Sequence, residues 1–137
     1  MEFIVAKNVT EDSKNIRLEV FVDEQGFDEE FDDIDDRAFH VILYIDGLAV
    51  ATGRTFEKSQ DIYKFGRIAV RKDCRGQGFG VEIVQKLEQV ALEQNAKKVV
   101  LSSQYHAKDF YEKCGFSVVG EPYLEEGAKH IFMEKNI

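Results

Sequence analysis

The sequence has few cysteines, no long apolar run and little positive charge, and each shortage excludes a class of protein. Its two cysteines, Cys74 and Cys114, are too few for a disulfide scaffold. No apolar run approaches the roughly 18 residues that a membrane-spanning helix needs. No secretory pattern stands at the start of the sequence. We therefore expect a cytoplasmic protein with reduced thiols and no association with a membrane.

The net charge of −8 argues against nucleic acid as a partner, because binding to phosphates needs a basic surface. The basic residues are nevertheless unevenly placed. Between Arg67 and Arg75, four basic residues accompany one acid, Asp73. This local excess predicts a small anionic ligand, and the alternative is that the side chains only solvate the end of a strand.

The spacing of apolar residues predicts one α/β domain over residues 1–137, and no repeat or low-complexity segment interrupts it. Asp46-Gly47 is a strong signal for a two-residue hairpin turn. Gly66, inside a predicted strand, indicates a bulge or a close approach of the backbone. A helix capped by Thr10 or Asp12 runs to about Val22. The other predicted strands and helices are strands 2–6, 38–45, 48–56, 61–70, 97–101, 116–120 and 130–135, and helices 78–94 and 107–115. We expect one mixed sheet that is parallel only around the strand–helix–strand unit 61–101.

Three of the ten glycines alternate in the segment CRGQGFG, residues 74–80. The segment lies between a predicted strand and a predicted helix, so its backbone N–H groups collect at a helix N-terminus and favour an anion. A phosphate-binding P-loop is excluded, because Gly80 is followed by Val81 and not by Lys-Ser/Thr. A dinucleotide-binding fingerprint is excluded because Ile83 occupies the place of its last small residue.

Arg75, Gly78 and Gly80 match the pattern Arg/Gln-x-x-Gly-x-Gly/Ala, and a second element, A-x-x-x-Y-x-x-x-G-F, follows at residues 107–116. On these residues the chain resembles the GNAT superfamily of acyl-CoA N-acyltransferases over essentially its whole length. The segments 20–36 and 120–135 are similar to the ElaA/YjcF-like branch of small bacterial members. Gln104 is a departure, since many members carry Asn there.

The resemblance implies a GNAT-like fold, in which about six to seven strands form a mixed sheet flanked by about four helices. It implies direct transfer of the acetyl group of acetyl-CoA to a primary amine of a small molecule or peptide, without a metal. The residues it assigns to coenzyme A are Ile68, Ala69, Val70, Arg75, Gly76, Gln77, Gly78, Phe79, Gly80, Val81, Gln104, Phe110 and Tyr111.

Acyl transfer to an amine needs a base for the ammonium and an acid for the departing thiolate. The resemblance gives the acid role to Tyr111, and the alternative is that this ring only packs in the core. The base stays open, and a water chain is a further alternative. Its candidates are Glu24, Glu125, Glu126 and His130. The remaining histidines, His40 and His106, are expected to be structural or solvated.

Residues 28–36 contain seven acids in nine positions. The run is either a solvated loop or short helix, or an acidic surface that attracts a cationic amine. Two other functions remain: a non-catalytic acyl-CoA-binding or sensing module, and a structural domain whose glycine turn binds nothing. Whether the chain forms a homodimer is left open by the sequence.

Overall fold

The computed structural model describes residues 1–27 and 31–137. In these residues, seven strands form one mixed sheet and three helices pack on it, against about four helices expected. The strands are β1 Glu2–Ala6, β2 Phe39–Ile45, β3 Leu48–Ser59, β4 Ile62–Val70, β5 Lys98–Gln104, β6 Ser117–Glu125 and β7 Ala128–Asn136. The helices are α1 Glu11–Arg17, α2 Phe79–Glu93 and α3 Lys108–Lys113. This confirms the expected GNAT-like fold class.

The sheet has the strand order β1-β2-β3-β4-β5-β7-β6, and only the β4–β5 pair is parallel. Helix α2 joins these two strands, as the pattern of residues 61–101 predicted. The parallel pairing is short, from Ile62 opposite Lys98 to Phe65 opposite Leu101. Beyond that point each strand stays paired with its other neighbour.

The local sequence signals explain several element boundaries. The side chain of Thr10 caps α1 by accepting a hydrogen bond from the Ser13 N–H at 3.1 Å. Asp46 and Gly47 both have positive φ angles, 50° and 81°, as a two-residue hairpin turn between twisted strands requires. A bulge follows Gly66, and Arg67 within it has a φ of 50°.

The first helix is longer than predicted and changes its winding. After Arg17 it continues as a π-helical segment, Leu18–Glu24. The N–H of Gln25 bonds to the carbonyl of Val20 at 3.0 Å, five residues earlier. Such wide turns often occur at functional sites. Here the segment brings Phe21 and Gln25 to the wall of the cavity described below.

The prediction of strand 116–120 was too short, because β6 runs through Pro122 to Glu125. A proline is tolerated there because β6 is the outer strand of the sheet. The register with β7 also shifts between Val119 and Tyr123, so the missing N–H of Pro122 falls in an irregular part of the ladder.

Both faces of the sheet are packed. Helix α2 buries Ile83 and Leu87 against one face, in a cluster that includes Phe65. On the opposite face, α1 and the π-helical segment bury Ile16 and Val20 against the β2–β4 half.

Candidate active site

Strands β4 and β5 separate at the middle of the sheet. Past Phe65 and Leu101, β4 continues to Val70 against β3, while β5 continues to Gln104 against β7. Within the described residues, the edge of β4 that faces the gap therefore has no strand partner there. Unpaired backbone N–H and C=O groups can bind an extended ligand as an additional strand would.

A cavity of about 280 Å³ lies at this gap. Its walls come from β3, β4, β5, the π-helical segment, the start of α3 and the β6–β7 turn. The lining side chains that could do chemistry are Gln25, Arg54, Lys64, Arg67, Ser102, Ser103, Gln104, His106, Tyr111, Glu125, Glu126 and His130.

The structure brings the residues assigned to coenzyme A into a continuous stretch of the molecule. Ile68 lines the cavity, and the next two residues of β4 lead from it to the glycine turn. Gly78 is the N-cap of α2, and Phe79, Gly80 and Val81 form its first turn. The first amides of a helix have no acceptor within that helix, so they are available to an anion.

The three alternating glycines serve two different purposes. Gly76 and Gly78 have φ angles of 79° and 84°, a left-handed conformation that side chains other than glycine rarely adopt. Gly80 has no such angle. A Cβ atom on Gly80 would lie 3.1 Å from Cζ of Phe110, so glycine there lets α3 pack closely on the start of α2.

Arg75 is held at the turn by Glu24. Its Nη1 and Nη2 each donate to a different carboxylate oxygen of Glu24 at 2.7 Å, and its Nε donates to the Val70 carbonyl at 3.0 Å. The hydrogen bond from Arg75 lowers the pKa of Glu24. A carboxylate with a lowered pKa is a weak base, and Glu24 pairs with the arginine instead of joining the other base candidates in the cavity. We therefore withdraw Glu24 as a base candidate; the pair instead orients Arg75.

Tyr111 lies where α3 meets the cavity. Its ring packs edge-on against Phe110 and Phe116, with centroid distances of 5.0 and 6.0 Å. Burial raises the pKa of Tyr111. A tyrosine hydroxyl is protonated at neutral pH in any case, and the raised pKa makes this one a weaker acid than an exposed tyrosine.

The other three base candidates, Glu125, Glu126 and His130, all line the cavity. His130 Nδ1 lies 2.9 Å from the Ala128 carbonyl and donates to it in the neutral tautomer, which leaves Nε2 as the acceptor. That Nε2 is 3.6 Å from a carboxylate oxygen of Glu125. The side chain of His130 is buried and stacks on Tyr123. These contacts fix its ring in one orientation.

Gln104 connects two sides of the cavity. It donates to Gln25 Oε1 at 2.9 Å, and its own Oε1 lies 2.8 Å from His106 Nε2. His106 therefore belongs to the cavity wall, and its side chain is exposed, which agrees with the expected structural or solvated residue. His40 is structural as expected: it is buried, its Nε2 lies 2.9 Å from the Asp35 carbonyl, and burial lowers its pKa.

Sequence reasoning missed two cations of the cavity, Arg54 and Lys64, whereas the third, Arg67, belongs to the basic segment 67–75 already noted. Arg54 and Lys64 interrupt the apolar alternation of two predicted strands. A charged residue at an inward-facing strand position is a signal of a polar site, and it could have identified both residues.

Two carboxylates of the acidic run, Asp32 and Asp35, are paired with arginines. Arg54 binds Asp32 at 2.7 Å and Asp35 at 2.8 Å, and Arg17 forms a second pair with Asp35 at 2.8 Å. Asp32 also lies 3.3 Å from Arg67. Residues Asp33–Asp36 form a short 3-10 helix, in which Asp33 and Asp36 are exposed as expected. Asp35 is buried, so a solvated position is wrong for it, and Asp32 is paired with arginines. Three further acids of the run, 28–30, lie outside the described residues.

Within residues 1–27 and 31–137, no group of three or more His, Cys, Asp or Glu side chains could hold a metal ion. In the same part of the chain, none of the helices has the length and apolar character needed to cross a membrane.

Comparison with known proteins places this geometry in a family. The family model of the acetyltransferase (GNAT) domain matches residues 6–137. An uncharacterized N-acetyltransferase of Bacillus subtilis (strain 168), YjcF, is 34% identical over 142 residues, which cover 99% of this chain and 100% of YjcF. The chain therefore belongs to the GNAT family of acetyltransferases.

Solved structures agree in fold. The crystal structure of an acyl-CoA N-acyltransferase from Pseudomonas aeruginosa is similar, with a TM-score of 0.86 and 26% identity over 98% of this chain and 99% of that one. The crystal structure of Escherichia coli ElaA has a TM-score of 0.85 and 26% identity, covering 98% of each chain. These similarities confirm the resemblance to GNAT proteins and to the ElaA/YjcF-like branch.

Proposed function

We propose that this protein transfers the acetyl group of acetyl-CoA to a primary amine by direct attack. The observation that carries the proposal is the gap between β4 and β5, which leads from the glycine turn into a cavity that contains Tyr111 and the Glu125–His130 pair. The fold and the acyl-CoA N-acyltransferase named above support the choice of cosubstrate.

The residues present fit coenzyme A. Its pyrophosphate would be held by the first amides of α2 and by Arg75, where Gly76 and Gly78 leave the backbone open. Its pantetheine arm would pair with the free edge of β4 at residues 68–70. When bound, acetyl-CoA supplies the activated acyl group as a thioester.

The cavity residues would then handle the protons. An alkyl ammonium has a pKa of about 10 and must lose a proton before its nitrogen can attack. His130 Nε2 accepts that proton, directly or through water, and the Glu125 carboxylate beside it stabilises the resulting cation. As the new C–N bond forms, the nitrogen releases its second proton to water, and as the C–S bond breaks, the Tyr111 hydroxyl gives its proton to the thiolate. A backbone N–H of Ile68 to Val70 serves as the oxyanion donor. Tyr111 recovers its proton from solvent.

The two free cysteines, Cys74 and Cys114, fit the cytoplasmic location that the sequence predicts.

The test removes only the hydroxyl of Tyr111. Release of the coenzyme A thiol is followed with acetyl-CoA and a panel of primary amines, for the wild type and for Tyr111→Phe. We expect kcat to fall by roughly 10- to 10³-fold, with acetyl-CoA affinity almost unchanged by calorimetry. Tyr105→Phe is the matched control, since Tyr105 is an exposed tyrosine only six residues away. An unchanged rate in Tyr111→Phe, measured when chemistry limits turnover, refutes the acid role. Binding of acetyl-CoA without turnover of any amine would indicate the non-catalytic acyl-CoA-binding module instead.

A further inference from the structure

We infer that the acceptor carries a carboxylate in addition to its amine, and that Lys64 is the residue that binds this carboxylate. The inference rests on the proposed function, since it names the acceptor class of the same cavity.

Lys64 has an unusual position for a lysine. It lies in β4, opposite Phe56 of β3 and Val100 of β5, and its half-buried side chain lines the cavity. In the described residues it has no carboxylate within 4 Å, whereas Arg54 and Arg67, the other two cations of the wall, both lie within that distance of Asp32. Burial lowers the pKa of Lys64, which shows that its surroundings disfavour the ammonium. An anion delivered by a ligand would compensate that cost.

Glu125 lies close enough to raise the pKa of Lys64 partly back, although it does not reach ion-pair distance. The cavity therefore has a cation at one place and, a short distance away, the Glu125–His130 pair that the proposed mechanism uses for the amine. In an amino acid, one carbon separates the amine from the carboxylate. The inference places the amine at His130 and the carboxylate on the Lys64 side of the same cavity. A cavity of about 280 Å³ suits a molecule of that size and not a folded protein surface.

The experiment compares matched acceptors that differ only in the carboxylate. Thiol release from acetyl-CoA is measured with free L-amino acids, with the corresponding amino-acid amides, and with the decarboxylated amines. We expect the wild type to prefer the acids by at least tenfold in kcat/KM. In Lys64→Met, which keeps the length of the side chain and removes the charge, kcat/KM for the acids should fall at least tenfold and that for the amides less than threefold. Lys64→Arg should retain part of the preference.

Lys58→Met is the matched control. Lys58 lies on the neighbouring strand, is exposed and contacts the Phe132 ring outside the cavity wall. The Lys58→Met variant should have the same kcat/KM as the wild type for both the amino acids and their amides. Thermal unfolding of each variant shows whether the fold is intact, and the wild-type comparison of acids with amides stands even if Lys64→Met does not fold.

Each negative outcome has a distinct meaning. If amines and amides react as well as the acids, or if Lys64→Met lowers turnover of all three classes equally, the inference is wrong while the proposed transferase activity stands. If none of these probes is acetylated, the inference is wrong, and the proposed transferase activity is also wrong if the whole panel of primary amines described above gives no turnover. Mass spectrometry of the wild type after incubation with acetyl-CoA adds a last outcome: acetylation of Lys64 itself, without a preference for acids, would make this lysine an acceptor and overturn its role in recognition.

Discussion

Replacing Asp35 by Asn should destabilise the protein more than any other single change in the acidic run. The Asp35 carboxylate is buried and accepts hydrogen bonds from Arg17 at 2.8 and 3.1 Å and from Arg54 at 2.8 Å. It also accepts from the backbone N–H of Asp32 at 3.1 Å. An Asn at this position fills the same space but carries no charge, and its amide group presents N–H donors to guanidinium groups that are themselves donors.

The magnitude follows from the burial of the partners. Arg17 and Arg54 are 1% and 4% exposed, so the variant removes a carboxylate charge from beside two buried guanidinium groups. Removing one partner of a buried ion pair costs about 3–5 kcal/mol. For a domain of this size we expect the melting temperature to fall by about 10–20 °C. Stability within 1 kcal/mol of the wild type would refute the reasoning.

The pH dependence of the free energy of unfolding provides an independent test of the contacts of Asp35 with Arg17 and Arg54. Burial alone would raise the pKa of Asp35, but the hydrogen bonds from Arg17 and Arg54 outweigh it and lower the pKa from 3.8 to about 2. A carboxyl whose pKa is lower in the folded state stabilises the fold above pH 4, and this contribution, about 2 kcal/mol, is lost between pH 4 and pH 2. Protonation of Asp35 should lower the free energy of unfolding less than the Asp35→Asn substitution does, because a protonated carboxyl group still accepts hydrogen bonds. In urea unfolding, the difference in the free energy of unfolding between the wild type and Asp35→Asn should therefore become smaller from pH 4 to pH 2.

Asp36→Asn is the matched control, since Asp36 is the exposed neighbour in the same turn, and it should change the free energy of unfolding by less than 0.5 kcal/mol. If the free energies of unfolding of the wild type and Asp35→Asn differ by the same amount from pH 7 to pH 2, the lowered pKa assigned to Asp35 is wrong.

Two further predictions concern the proposed coenzyme A site. Arg75→Ala should raise the Kd for acetyl-CoA, measured by calorimetry, at least tenfold, because it removes one charge-assisted hydrogen bond. Glu24→Gln keeps the guanidinium and should raise this Kd less. Equal affinity in Arg75→Ala and the wild type would exclude Arg75 from the site. Gly80→Ala should lower the free energy of unfolding by about 1–3 kcal/mol, because its methyl group would lie 3.1 Å from Phe110 Cζ. In the double variant, Phe110→Leu should restore part of that loss. Additive effects of the two changes on the free energy of unfolding would mean that these residues do not contact each other.

The predictions from sequence succeeded where local chemistry decides the structure. Asp46-Gly47 determines its hairpin through φ angles that few residues adopt, and Gly66 marked a bulge that was found directly after it. The glycine turn and the resemblance together gave the fold class. The strand ends were less certain: β6 passes through Pro122 because it is an outer strand, and strand order is a property of the whole sheet.

The acidic run shows why the cavity was harder to predict. As a sequence, residues 28–36 suggest a surface that repels itself and attracts cations. The described part of the run contains Asp32 and Asp35, which are bound instead by arginines up to 35 positions away. No local pattern records such a pairing, so the sequence could not show that this negative charge is balanced inside the molecule. An acidic surface that attracts a cationic acceptor would therefore have two carboxylates fewer than the sequence suggests. The inference drawn from Lys64 assigns recognition of the acceptor to the charge in the cavity itself: we propose that Glu125 and His130 face one group of the ligand and Lys64 the other.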